Sequence, residues 1–390
     1  MEIKTLKPLS NEFLESIGFA WHTDPNQTSY VANEAVVLSE AEAEGFYSAA
    51  NELYDMFVEA GQYVIDNNLF FELGIPFNLI ESIKMSWENE VHWHIYGRFD
   101  FAGGLEGRPI KLLEFNADTP TMVYETAIIQ WALLKANGME NHLQFNNLYQ
   151  AIGENFKRMI TLGDDPTRFG EIYEGWKILF SSIEGSLEEE MTMRLLEQIA
   201  RESGFETAFS YVHEAKLDEA SGLFFNDQNY EFWFKLIPWE NIAIDEPEMA
   251  LLIEGMIRNK NTIFLNPAYT LLFQSKRMLK ILWDLFPNHP LLLESSFEPL
   301  KGKKQVKKHA FGREGESVQI WSEQGEVLSE KAGAYGNFPP LYQEFVEPNL
   351  HQGLFYQPNV FYAYEACALG FRRGGEILDN YAKFVSHYIR

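Results

Sequence analysis

At 390 residues the chain exceeds what a single hydrophobic core sustains, so two or three lobes are expected. Its 57 acidic against 31 basic side chains give a net charge of -26, a field that repels nucleic acid and anionic membranes and attracts cations. Hydrophobic residues at 46% and aromatics at 15% exclude disorder, and the lone cysteine, Cys367, excludes an internal disulfide and a Cys₂His₂-type zinc site.

The start, Met1-Glu2-Ile3-Lys4-Thr5-Leu6, has no apolar core of signal-peptide length, and no stretch nears the roughly 20 apolar residues of a membrane span. The expectation is a cytoplasmic protein without a membrane partner. Residues 1–38 read as a short helix and a strand-bearing arm. Ser39 and Glu42 match a capping box, and Phe46, Ala49, Leu53, Phe57, Ala60 and Val64 recur at three- and four-residue steps, which predicts a helix over 39–67. A less regular helix covers 77–90.

Next come Tyr96-Gly97-Arg98-Phe99-Asp100-Phe101 and Lys111-Leu112-Leu113-Glu114-Phe115-Asn116, each alternating polar and apolar residues with the period of two of a half-buried strand. The link between them holds Gly103, Gly104 and Gly107 and reads as a hairpin loop. Paired antiparallel and in register, the strands put Arg98, Asp100, Glu114 and Asn116 on one face. Two carboxylates and a carboxamide are oxygen ligands for Mg²⁺, with a guanidinium beside them for phosphate. The plain alternative is a cross-strand ion-pair ladder on a solvated face. Asp118-Thr119-Pro120-Thr121 follows at the strand end, where substrate groups are commonly held.

Helices follow over 123–137 and 142–162. A buried strand of the parallel kind at 176–181, a helix over 187–203 ended by Gly204, and strands at 208–212, 223–225 and 231–236 argue α/β architecture for 171–266. Asn266-Pro267 opens a helical stretch over 272–286, and short strands with glycine loops fill 294–365. No repeat and no long Ser/Pro linker is present, so the lobes are expected to interweave.

Lys301-Gly302-Lys303-Lys304-Gln305-Val306-Lys307-Lys308 sets five lysines in eight residues ahead of Phe311-Gly312-Arg313-Glu314-Gly315-Glu316-Ser317. A lysine strand end and a glycine-flanked loop can hold nucleotide phosphates, although no Walker A sequence is present; the alternative is a solvated basic hairpin. Segment 341–346 can offer backbone groups to an adenine edge. Glu188-Glu189-Glu190 opens a helix, where acidic residues favour the dipole; a seat for a substrate ammonium is the functional reading. His92 and His94 lack a third ligand in spacing and read as ordinary strand residues. No Gly-x-Ser-x-Gly elbow is present.

In chain order, Arg98-Phe99-Asp100, Leu113-Glu114-Phe115-Asn116-Ala117-Asp118-Thr119-Pro120-Thr121, Lys235-Leu236-Ile237-Pro238-Trp239-Glu240, Asn266-Pro267, Ser275-Lys276, Val306-Lys307 through Gly312-Arg313-Glu314-Gly315, and Tyr342-Gln343-Glu344 carry a resemblance. Together they resemble the synthetase part of the glutathionylspermidine synthase family, without its amidase domain. The resemblance implies a mixed α/β (α+β), atypical ATP-grasp fold with lobes near 1–170, 171–270 and 271–390. It also implies ATP-dependent amide formation through an acyl phosphate. By it, Asp100, Glu114 and Asn116 hold Mg²⁺, and Arg98 stabilises the transferring phosphoryl group. Lys276 and Lys307 contact ATP phosphates beneath the loop of Gly312 and Gly315, and Gln343 and Glu344 border the adenine. Asp118, Thr119 and Thr121 meet a peptide carboxylate such as glutathione, while Glu188 and Glu189 meet a polyamine.

Two departures fall on substrate recognition. Leu236 stands where the family carries Thr after Lys, and Arg373-Gly374-Gly375 where it carries Arg-Gly-Asp. A ligase of the same chemistry joining a different peptide or amino acid to a different amine is therefore an alternative, and a non-catalytic nucleotide- or polyamine-binding protein is another.

Overall fold

The hairpin read from the sequence forms one edge of an eight-stranded sheet that gathers both ends of the chain. The computed structural model describes all 390 residues, Met1–Arg390. The sheet runs Glu2–Thr5, Val31–Leu38, Lys383–Ile389, Glu365–Gly374, Leu354–Ala363, Gly97–Ala102, Lys111–Asn116, with Asn349–His351 pairing alongside Leu354–Ala363. Only Val31–Leu38 and Lys383–Ile389 run parallel. The first strand, short and largely exposed, carries no alternating pattern and was not expected from the sequence.

Within the hairpin Arg98 faces Asn116, Phe99 faces Phe115 and Asp100 faces Glu114. Alternation then sorts the two faces. Phe99 and Phe115 stack with centroids 3.9 Å apart and pack against Phe57 of the helix Glu40–Asp66. That helix starts where expected, Ser39 and Glu42 bonding reciprocally. At the hairpin loop Gly103 sits at φ +75, and a Cβ there would lie 2.0 Å from the Pro109 carbonyl oxygen, so only glycine fits.

A second sheet, ordered Ile263–Leu265, Phe232–Leu236, Lys177–Ser182, Glu206–Tyr211, is parallel throughout. The helix Leu187–Glu202 links its last two strands in space, and the apolar run Ile178-Leu179-Phe180 is fully buried, as sheets covered on both faces require. A third sheet, antiparallel, runs Ser295–Ser296, Pro340–Glu344, Gln305–His309, Val318–Trp321, Val327–Lys331. The architecture is mixed α/β, and no helix is long and apolar enough to cross a membrane.

Two helices differ from the periodicity. The one read over 142–162 begins at Leu148, because Leu143 and Asn146 bridge to Ile389 and Ala368 and so extend the large sheet. The stretch read over 272–286 is two helices, Thr270–Gln274 and Met278–Leu285. Ser275 between them is extended, its hydroxyl donating to the Leu73 carbonyl at 2.7 Å, while the Lys276 N–H donates to Ala310 at 2.8 Å. Tertiary hydrogen bonds outweigh helix propensity here, and the break delivers Lys276 to the cleft.

Candidate functional site

A cleft of about 460 Å³ opens between the polar face of the hairpin and the third sheet. Arg98, Asp100, Glu114 and Asn116 line it. Lys276, Lys308, Gly312, Gly315, Gln343 and Glu344 also line it, as do Thr119, Thr121 and Glu189.

The hairpin face is no solvated ladder: Arg98 and Asp100 are 6% and 3% exposed. Arg98 Nε donates to Asp100 Oδ1 at 2.8 Å, Nη2 to Oδ2 at 3.2 Å, and Nη1 to the Thr121 carbonyl at 2.9 Å. Burial opposes the guanidinium charge, but the Asp100 carboxylate beside it more than restores it, so Arg98 stays a cation. Asn359 and Gln357, on the neighbouring strand, also donate to Asp100, at 2.8 and 3.2 Å. Those four bonds fill the acceptor capacity of a carboxylate, roughly four lone-pair sites.

Glu114 meets Lys276 at 2.7 Å and receives the Asn116 amide at 3.2 Å. Burial works against its ionisation, yet Lys276 and Lys308 hold its carboxyl down at about 2. Lys308 donates to Gln343 Oε1 at 2.7 Å and to the Leu113 carbonyl at 2.9 Å; burial pushes its ammonium down to about 8 against the pull of Glu114. Lys276 on Glu114, with Lys308 near it and Arg98 on the same wall, makes a local cluster of cations that suits phosphate oxygens.

The glycine loop covers one end. Gly315 has φ +69, and a Cβ would fall 2.2 Å from the Leu378 carbonyl oxygen. Arg313 ties the loop down, donating to Glu240 Oε1 at 2.7 Å and Thr119 Oγ1 at 2.9 Å. Burial disfavours its charge, but Glu240 raises its pKa.

Three expected site residues lie elsewhere. Asp118 is sealed beneath the cleft, 3.7 Å from Lys235 Nζ and accepting the Trp239 N–H at 2.9 Å. The turn after Asn116 points its side chain to Lys235 of the parallel sheet and away from the cleft wall. Lys307 does not line the cleft: Val306 and Lys308 do, and strand alternation puts Lys307 on the other face. Glu188 is not part of the cleft wall, while Glu189 is. Glu188 instead sits half-buried with its carboxyl pushed up to about 8 by burial and by Glu125.

Sequence reasoning missed Lys308, Gln274, and the Asn359 and Gln357 supports of Asp100. The Gln274 carbonyl oxygen accepts from the Ala117 and Asp118 amides at 3.0 and 3.2 Å. Of these, only Lys308 had a local signal, its two-residue spacing from Val306.

The profile described as glutathionylspermidine synthase preATP-grasp matches residues 1–390. A Haemophilus influenzae protein provisionally named an acid–amine ligase is 29% identical over 399 residues, covering 96% of this chain and 95% of the relative. The Escherichia coli bifunctional glutathionylspermidine synthetase/amidase is 25% identical over 370 residues, 86% of this chain and 55% of the relative. Crithidia fasciculata trypanothione synthetase is 24% identical over 328 residues, 78% of this chain and 48% of the relative. The chain spans about half the length of these last two. Among solved structures, an apo glutathione synthetase-like effector from Globodera pallida aligns over 98% of both chains with a TM-score of 0.57 at 10% identity, a likeness of fold alone. Matched along its whole length, the chain belongs to the glutathionylspermidine synthase family and is an ATP-dependent ligase.

Proposed function

We propose that this ligase joins a carboxylate to an amine through an acyl phosphate, using the 460 Å³ cleft for ATP and the activated acid. The observation that carries the reading is the cleft itself, which gathers Arg98 and an acidic oxygen set with Lys276, Lys308 and a glycine loop. The acceptors Asp100, Glu114 and Asn116 fit a hard dication by donor chemistry, two carboxylates and one carboxamide on one face. Asp100 already accepts four bonds, so a cation there replaces donors instead of adding to them. Mg²⁺ held by these residues would neutralise phosphate charge.

In the proposed reaction a substrate carboxylate oxygen bonds to the γ-phosphorus of ATP as its bond to the β–γ bridging oxygen breaks, releasing ADP. A neutral amine nitrogen then bonds to the acyl carbon and loses a proton, and phosphate leaves. The chain's part is positioning and charge: Arg98, Lys276 and Lys308 stabilise phosphoryl charge, and the tied 312–317 loop shields the acyl phosphate from water. Gln343 and Glu344 are assigned to the base, Thr119 and Thr121 to the acid substrate, and Glu189 to the amine.

Glutathione and spermidine are one candidate pair. A different pair is favoured by the apolar stretch of the wall, where Leu236 joins Ile183, Ile377 and Leu378. The test measures phosphate release from ATP and Mg²⁺ with glutathione or other acids crossed against a panel of amines, with the amide identified by mass. Release that requires both partners supports the ligase reading. No release with any pair sinks it, and the productive pair decides between the two substrate assignments.

A further inference from the structure

A second pocket, a groove of about 400 Å³ open to solvent, lies behind the hairpin and shares no lining residue with the cleft. Its size falls in the range of about 300–1,000 Å³ typical of small-molecule pockets. Five aromatic side chains wall it: Tyr54, Trp87, Trp93, Tyr269 and Phe273. Their planes turn a corner, Trp87 meeting Tyr269 at 90° with centroids 5.3 Å apart and Phe273 at 85° and 6.1 Å, while Tyr54 meets Phe273 at 76°. Tyr54 has one face stacked on Tyr362 at 3.9 Å and Phe273 is buried, so the half-buried Trp87, Trp93 and Tyr269 are the rings left to meet a guest, and ring faces are electron-rich.

The polar groups on the wall are Ser86, Asn89, Glu90 and His92; no lysine or arginine lines it. His92 is buried, its Nδ1 has no hydrogen-bond partner, and burial lowers its pKa to about 4, so the ring is neutral near pH 7. Glu90 is an exposed carboxylate on the same wall. Aromatic faces, neutral acceptors and one carboxylate disfavour an anion and suit a positive charge with an apolar body. The net charge of -26 draws such a ligand to the protein.

We propose that this groove is a second ligand site, taking a small organic ammonium cation between the aromatic rings with Glu90 beside its charge. The proposal is independent of the activity assigned to the cleft. It is tested on the full-length chain by titrating choline, read by tryptophan fluorescence and by ligand-observed saturation transfer, with the neutral isostere 3,3-dimethylbutan-1-ol in parallel. Choline is expected to saturate, to resist displacement by ATP, and to bind at least about tenfold more tightly than the isostere. Trp87→Leu should weaken it about tenfold. Glu90→Gln, at an exposed position that leaves the fold alone, should weaken it roughly two- to fivefold. Equal binding of the isostere, displacement by ATP, no saturation, or wild-type affinity in the Glu90→Gln variant would each overturn the proposal.

Discussion

Glu114 and Asp118, four residues apart, each pair with a lysine and meet opposite fates. Glu114 touches Lys276 at 2.7 Å on the cleft wall and has a second lysine, Lys308, nearby, so its carboxyl is held at about 2. Asp118 lies 3.7 Å from Lys235, both side chains at 0% exposure, and burial raises its pKa against Lys235, with Glu240 adding to the rise. An ion pair that opens on a cleft leaves charge available to a ligand. A sealed pair has lost its water, gains little from its partner, and serves to fix the chain entering Trp239, whose N–H it accepts.

Arg98→Ala, in the open cluster, should cut ATP turnover by about 10³–10⁵-fold while ATP binding changes far less. Phosphate-release kinetics beside equilibrium nucleotide binding read this, and a variant with wild-type turnover removes Arg98 from the mechanism. Asp118→Ala, in the sealed cluster, should instead cost about 3–5 kcal/mol of stability by stranding the Lys235 charge. Denaturant melts check it: an unchanged midpoint with lost turnover would put Asp118 back among the substrate residues.

Smaller effects separate the members of the open cluster. Lys308→Ala should weaken ATP binding roughly 10–100-fold, the worth of a hydrogen bond to a charged group, whereas Lys307→Ala should stay within about twofold. Equal losses in the two variants would show that both faces of Gln305–His309 reach nucleotide. The pH dependence follows with a definite sign. Lys308 is a cation only below its depressed value of about 8, so ATP affinity should fall as pH rises through 8, and Lys308→Arg should flatten that fall. On the acid side, Glu114 has a folded value of about 2 against 4.5 unfolded. Its stabilisation is present above 4.5 and lost as pH falls towards 2, a loss that Glu114→Gln should remove from the acid-unfolding curve.

Much of the site was legible because it is local. Period-two alternation over 97–102 and 111–116 set the two faces of each hairpin strand, since successive side chains in a strand must point opposite ways, and the in-register pairing assumed from it holds from Arg98 to Asp100. The capping box at Ser39 and the buried apolar strand at 177–182 were readable for the same reason: each pattern is imposed by backbone geometry within a few residues.

What the chain alone left open depends on partners distant in sequence. Whether Lys307 or Lys308 faces the cleft was settled by pairing with Pro340–Glu344, and the break at Ser275 by hydrogen bonds to Leu73 and Ala310. Asp118 is held off the cleft wall by Lys235 and Trp239, more than a hundred residues on. Asp100 is filled by donors from Leu354–Ala363. Local spacing dictates which residues share a face, whereas burial and charge on that face come from neighbours far along the chain that local spacing does not encode.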